Sequence, residues 1–240
     1  MSVKPVPGRL TLAVVVPTLN EQDHLPTTLD SLQMQTDPAD RLLIVDGGSR
    51  DGTTALAVAR GLEVLTVPGR GRGGQIAAGI RLLTEEVILV AHADMRLPAT
   101  ALEAVRTCLA GTAEIPGGAL GHRFRSPRWI YRLIEWYDER RARRGWSYGD
   151  QAQFFRREAL QQVGGFPDQP IMEDVELSRR LLQLGRPAYL DLPVEVSPRR
   201  FERRGILRTL AENWWFRLAY RWRGLAACPV IYRDYYRQTD

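Results

Sequence analysis

Residues 10–16, LTLAVVV, form an uninterrupted apolar run rich in β-branched side chains, the pattern of a strand covered on both faces. Past Pro17, the stretch DHLPTTLDSLQMQ sets Leu25, Leu29 and Leu32 at helical spacing. The alternation then repeats: RLLIV predicts a strand, DGGSRDG a glycine turn and TTALAVAR a helix. LEVLTV supplies a third strand, PGRGRGG a third turn, QIAAGIRLL a third helix and EVILVAHAD a fourth strand. Strands alternating with helices predict an α/β fold, a mostly parallel, Rossmann-like sheet with helices on both faces.

The pattern changes in the second half. WIYRLIEWYDERRARRG predicts an amphipathic helix with Trp129, Leu133, Trp136 and Tyr137 on one side, expected to pack inward. YGDQAQFFRREALQQVGGFPD predicts a short strand, a helix and a glycine stop. EDVELSRRLLQLG predicts a helix opened by two acids and closed by Gly185, the polarity a helix dipole favours. In GILRTLAENWWFRLAYRWRG, Leu207, Leu210, Ala211, Trp214 and Leu218 share a stripe that Trp215, Tyr220 and Trp222 widen. Packing of this stripe on its own domain is the expectation. Arg208, Arg217, Arg221 and Arg223 flank the tryptophans, which keeps a helix lying in a membrane interface as the alternative. The expected organisation is one domain over residues 1–204, with an amphipathic helix and tail over 205–240 packed on it.

Composition narrows the class. A chain of 240 residues with 44% hydrophobic content can build a full core. Cys108 and Cys228 lie far apart and match no metal spacing, so a disulfide framework is not expected and a reducing compartment fits. The N-terminal apolar run is too short for a signal peptide, and no window of about eighteen apolar residues occurs. A cytoplasmic protein is expected, with contact at the inner membrane face left open. The net charge of +5 is concentrated in RFRSPRW, ERRARRG and SPRRFERRG. Such clusters attract polyanions, whether nucleic acid, anionic lipid or a nucleoside diphosphate, or are simply solvated.

In an open parallel sheet, ligands bind beyond the carboxyl ends of the strands, where strand order reverses. Four polar or glycine-rich loops leave such ends, PTLNEQ, DGGSRDGT, GRGRGG and HADM, and should meet on one rim. Asp46 directly follows LLIV and offers an acceptor for a nucleobase or ribose, beside Gly47 and Gly48; a plain Asp-Gly turn is the alternative. GRGRGG satisfies G-x-G-x-x-G, with Asp94 about twenty residues downstream as a dinucleotide fold would require. Against that reading, two complete strand–helix units precede it, and Pro68, Arg70 and Arg72 crowd the turn. Arg199, Arg200 and Arg203 follow the strand-like PVEVS and could close over a diphosphate.

Taken in order, VVVPTLNE, IVDGGSRDGT, HADM and MEDVELSRRL resemble the family 2 glycosyltransferases of GT-A fold, over about residues 10–200. GRGRGGQIAAG and SPRRFERRGILRTL further resemble a bacterial subgroup, the radical-SAM/selenodomain-associated transferases. The resemblance implies an inverting, metal-dependent transfer of a sugar from a nucleotide sugar to a hydroxyl acceptor, lipid or small molecule. It implies that Pro17, Thr18 and Glu21 line the nucleoside pocket and that Asp46 bonds the base; Arg72, Ala93 and Arg200 are further candidates for the donor site. Asp94 would be the last acid of the family's metal-binding D-x-D, and Asp174 the general base. Two departures stand out: His92 replaces the first acid, and Ala77 stands where the subgroup usually has asparagine.

One acid suffices where substrate phosphates complete the coordination of Mg²⁺ or Mn²⁺, and His92 could assist Mn²⁺, contact the donor or be structural. The competing functions are a nucleotidyltransferase, although no G-x-G-T-R-x-x-P-K-like loop follows the first strand, an oxidoreductase using NAD(P) at GRGRGG, and a non-catalytic basic membrane module. No nucleic-acid partner is expected, and homo-oligomer formation is left open.

Overall fold

The computed structural model describes residues 8–236; residues 1–7 of the N-terminal stretch and 237–240 of the tail lie outside the described residues. The first half runs β1 (Leu12–Thr18), α1 (Leu25–Gln33), β2 (Arg41–Asp46), α2 (Thr53–Ala59), β3 (Glu63–Thr66), α3 (Gly71–Ile80) and β4 (Val87–Val90). It continues with β5 (Met95–Arg96), α4 (Ala101–Gly111), β6 (Gly117–Phe124), α5 (Trp129–Ala142), β7 (Phe154–Arg156) and α6 (Arg157–Gln162). The chain closes with α7 (Glu173–Leu181), β8 (Ala188–Val196), α8 (Arg199–Arg204), α9 (Ile206–Arg223) and α10 (Cys228–Tyr236).

The strands form one sheet in the order β3-β2-β1-β4-β7-β6-β8-β5. β1 pairs in parallel with β2 on one side and β4 on the other, so strand order reverses there and their carboxyl ends share one edge. Side chains sort by the two-residue period. Leu12, Val14 and Val16 face Leu25, Leu29 and Leu32 of α1 and the apolar side of α4, whereas Ala13 and Val15 join Ile76 and Ile80 of α3 on the opposite face. The fold is thus α/β as expected, but the sheet is mixed. β7 runs antiparallel to β4 and β6, and β5 antiparallel to β8. β5 is two residues long and β6 carries three glycines in GGALGHRF, so neither presents the apolar β-branched run that marked β1 and β4.

Two helices turn the opposite way from the expectation. On α5 the buried stripe is Tyr131, Asp138 and Ala142, and Trp129, Leu133, Trp136 and Tyr137 point outward. On α9 the turn is partial: the buried stripe is Thr209, Phe216 and Tyr220, the last of these on the expected stripe, Leu210 and Leu218 are half-buried, and Leu207, Ala211, Trp214, Trp215 and Trp222 are exposed. On each helix a narrow buried stripe, with the polar Asp138 in α5 and Thr209 in α9, is enough to seat it. Phe216 and Tyr220 pack with Ala227, Cys228 and Ile231 on Ile171 and Met172, the residues that lead into α7. The C-terminal helices therefore buttress the segment carrying the two acids.

Candidate active site

The rim begins with two loops laced together. After β1, the Asn20 backbone N–H donates to Ser49 Oγ at 2.8 Å, and Asn20 Oδ1 accepts from the Arg50 N–H at 2.9 Å. Glu21 N–H donates to Thr53 Oγ1 and Gly52 N–H to Gln22 Oε1, each at 2.8 Å. Asn20 takes the left-handed conformation, φ 55°, that the turn out of β1 demands. Asp46 organises the second loop: it accepts from the backbone N–H of Gly48 and Ser49 at 2.8 Å, from Ser49 Oγ, and from Thr18 Oγ1 at 3.2 Å. Both carboxylate oxygens of Asp46 thereby hold the loop in shape. Gln75, which drew no attention in the sequence, ties α3 to both strand ends by donating to Thr18 O and Val45 O at 2.9 Å.

The GRGRGG segment has a different use from the one its glycine spacing suggested. Helix α3 starts within it, at Gly71, and packs on the residues before α7. A Cβ on Gly71, which sits at φ +70°, would lie 2.5 Å from Pro170 O, and one on Gly73 would lie 2.2 Å from Gln169 O. The glycines let two backbones touch. Arg72 is carried across that contact. Its Nε donates to Glu173 Oε1 and its Nη2 lies 3.5 Å from Asp174 Oδ2. Although neighbours on a helix do not normally face one another, one guanidinium fork spans both acids here. Burial holds the Glu173 carboxyl above its ordinary range, against the pull of Arg72. Met172, just before the acids, is held at φ 66° by its buried side chain.

Asp174 also accepts from the Gly149 N–H at 2.8 Å. Gly149 lies between Asp174 and His92: a Cβ there would be 2.7 Å from His92 Nε2. Burial, reinforced by the Arg72 charge, pushes the His92 imidazole down to about 3, so it is neutral at ordinary pH. Ile76, Val90, Gln153 and Phe166 complete the walls of this niche. Asp94 has other neighbours. Arg199 Nη2 lies 3.4 Å from its carboxylate while Nη1 donates to Glu21 Oε2 at 2.9 Å, so Glu21, Arg199 and Asp94 form a chain of charges. His92 thus lies against Gly149 and Asp94 against Arg199.

Of the remaining expected residues, Pro17 and Thr18 end β1 at the rim, and Ala93 is buried with its carbonyl accepting from Thr28 Oγ1 at 2.7 Å. The Arg200 guanidinium lies 4.0 Å over the Tyr235 ring, and the neighbouring Arg199 is the arginine that pairs with Glu21 at the rim. Gly149 and Gln153 were not picked out as site residues, because a glycine and a glutamine in YGDQAQ carry no chemical signature of their own.

The sequence matches the family model described as Glycosyl transferase family 2 over residues 13–164. The chain belongs to that family. An uncharacterized glycosyltransferase of Mycobacterium tuberculosis is 36% identical over 84 residues, 35% of this chain and 36% of that protein. Human dolichyl-phosphate beta-glucosyltransferase is 36% identical over 99 residues, 35% of this chain and 31% of that one. The alignments span about a third of the length of these curated relatives. Among solved structures, the mannosyltransferase PcManGT from Pyrobaculum calidifontis, in complex with GDP-Man and Mn²⁺, superposes with TM-score 0.60 at 25% identity, covering 79% of this chain and 56% of that one. TarS 1-349 of S. aureus in complex with UDP gives TM-score 0.66 at 17% identity over 80% of this chain and 62% of its own, a likeness of fold. This family 2 glycosyltransferase therefore has the GT-A-like architecture expected of it, and the oxidoreductase alternative loses the motif on which it rested.

Proposed function

We propose that this glycosyltransferase moves a sugar from a nucleoside-diphosphate sugar to a hydroxyl acceptor by direct displacement, inverting the anomeric centre. The observation that carries the reading is the acid pair at the start of α7, fixed from three sides by Arg72, Gly149 N–H and the neighbouring backbone. Such a carboxylate can accept the acceptor's proton without reorganising. Asp174 is assigned this role, and Glu173, deeper and held by Arg72, positions the fork. Pro17, Thr18, Glu21 and the loop shaped by Asp46 form the nucleoside side of the pocket. Arg199 is the guanidinium placed to meet the diphosphate. GDP-Man in PcManGT supports the donor class.

Asp94 fits a hard cation: its carboxylate stands at a strand end and meets Arg199 at 3.4 Å, longer than a charge-assisted hydrogen bond, which leaves lone pairs to share. Mn²⁺ or Mg²⁺ held there would neutralise the leaving diphosphate as a Lewis acid. The subgroup likeness rests on GRGRGGQIAAG and SPRRFERRGILRTL, whose roles in the structure are to seat the acids and to deliver Arg199.

None of the described helices is long and apolar enough to cross a membrane. Contact with a bilayer surface instead accounts for the outward faces of α5 and α9. Trp129 is 74% exposed, Trp222 80% and Leu207 82%. The starts of the two helices meet at a cleft of ≈ 360 Å³ lined by Arg128, Trp129, Ile130, Ile206 and Leu207. Exposed Arg140, Arg208, Arg221 and Arg223 lie on the same two helices, the arrangement that suits anionic lipid and a lipid-borne acceptor. Binding to anionic vesicles should fall with rising salt and with Trp214→Ala/Trp222→Ala; equal sedimentation of wild type and variant would remove this partner.

The donor reading is tested by calorimetry with UDP, GDP and dTDP, each with Mn²⁺ and with EDTA. One nucleotide should bind more tightly with the cation, and Asp94→Ala should abolish the difference. Failure of all three to bind would overturn the reading.

A further inference from the structure

Three side chains that have no role above converge beside the acid pair. His122 lies on β6, Asp138 on the buried stripe of α5 seven residues after Tyr131, and Asp150 in the short 3-10 turn Gly149–Gln151. One ligand atom from each lies within 4.8 Å of the other two. His122 Nε2 stands 3.6 Å from Asp138 Oδ2 and 3.9 Å from Asp150 Oδ2, too far for hydrogen bonds to either. Among the described residues that nitrogen has no hydrogen-bond partner although the His122 side chain is 1% exposed, and Asp150 Oδ1 is likewise buried and unpartnered among them. Unpaired polar atoms in such a place are costly, which argues that something completes them.

The spacing says what. Two ligand atoms each about 2.1 Å from a tetrahedral ion lie about 3.4 Å apart, close to the separations around His122 Nε2. Arg141 holds the other oxygen of Asp138 and stacks on the Tyr148 ring at 3.5 Å, leaving Oδ2 turned to the histidine; this is the outer-shell partner that a ligating carboxylate usually has. One nitrogen and two carboxylates make a borderline donor set suited to a first-row divalent ion.

We propose that His122, Asp138 and Asp150 form a binding site for a divalent transition-metal ion, Zn²⁺ or Mn²⁺, separate from Asp94 and open on the side of the part-exposed Asp150. The ion would pin the turn whose Gly149 N–H holds Asp174, tying the acceptor side of the cleft to β6 and α5. The site itself rests on none of the donor chemistry; only its proposed effect on Asp174 rests on the glycosyl-transfer reading.

The test is metal binding without nucleotide. Chelator-treated, dialysed full-length protein is titrated with Zn²⁺ and with Mn²⁺ by calorimetry, for wild type, Asp94→Ala, His122→Gln and Asp150→Asn. Asp150 is at the surface of the cluster, so its variant guards against loss of fold, which circular dichroism checks. Wild type and Asp94→Ala should bind one of these ions equally at this site, and the His122 and Asp150 variants should bind it at least tenfold more weakly. No binding of either ion to the wild type would overturn the proposal. So would binding that Asp150→Asn retains and Asp94→Ala loses, and so would binding that folded His122→Gln and Asp150→Asn keep unchanged.

Discussion

Arg72→Met tests how the acid pair is held. The substitution keeps the apolar stem and removes the guanidinium that spans Glu173 and Asp174. Glu173 has a side chain only 2% exposed and, among the described residues, one oxygen with no hydrogen-bond partner even in the wild type, so the loss leaves a buried carboxylate with little else to neutralise it. Breaking a buried pair from one side costs about 3–5 kcal/mol. Arg72 is itself 22% exposed, and Glu173, already above its ordinary range through burial, can escape by taking a proton. Both facts lower the cost to about 2–3 kcal/mol, or about 4–12 °C in melting temperature for a chain of this size. Urea denaturation at neutral pH measures it. The double variant Arg72→Met/Glu173→Gln, with no charge left to strand, should recover most of the loss, a coupling of about 1–3 kcal/mol. Should Arg72→Met match the wild type, or should the two substitutions simply add, the fork is not what holds the pair.

Three further outcomes follow from the same contacts. Arg179 and Arg180 hold Glu176 down to about 2 from an ordinary 4.5, so its contribution is complete above pH 4.5 and disappears as pH falls toward 2. Glu176→Gln should thus cost about 2 kcal/mol at pH 7, allowing for the half-exposed Arg179, and nothing near pH 2, read from melting curves across that range. Gly73→Ala forces a methyl against Gln169 O and the Glu173 side chain, and should destabilise by about 1–3 kcal/mol while sharply lowering turnover, measured by denaturation and transfer assays. Gly149→Ala pushes on His92 Nε2 and tilts the N–H that holds Asp174; donor affinity by calorimetry should stay near wild type while turnover falls.

The first half of the chain was legible because its strands are short apolar-rich runs and its turns are marked by glycine or proline; β1, β2 and β3 sit within a residue or two of where that pattern puts them, and β4 starts on the pattern but ends at Val90, before the polar HAD. β6 was not legible, since its glycines are there for close approach by its neighbours and hide the β signal. The orientation of α5 was misread because tryptophan and tyrosine dominate any hydrophobic stripe. The side chain that actually sits inward, Asp138, is polar and finds its partner in Arg141, with His122 3.6 Å away, neighbours the helical period cannot reveal. The site followed the same logic. Asp94 and the acids at 173 and 174 were singled out by their place at a strand end and a helix start, and Glu21 and the base role of Asp174 by the family resemblance. Arg72 was singled out too, but its work is to grip the acids, and that depends on glycines touching a loop about a hundred residues away in sequence. Arg199 and Arg200 are adjacent arginines, and only the first turn of α8 decides which one reaches Glu21 and Asp94.

The most direct test of the account compares turnover with donor affinity in Asp174→Asn, Glu173→Gln and Asp94→Ala, using the nucleotide sugar whose diphosphate binds best. Asp174→Asn should keep the wild-type fold and donor affinity and lose roughly 10²- to 10⁴-fold in transfer rate, the usual contribution of a positioned base. Asp94→Ala should lose affinity and rate together, and Glu173→Gln should lose less rate than Asp174→Asn. Near-normal transfer by Asp174→Asn alongside a dead Glu173→Gln would contradict the assignment and move the base to Glu173.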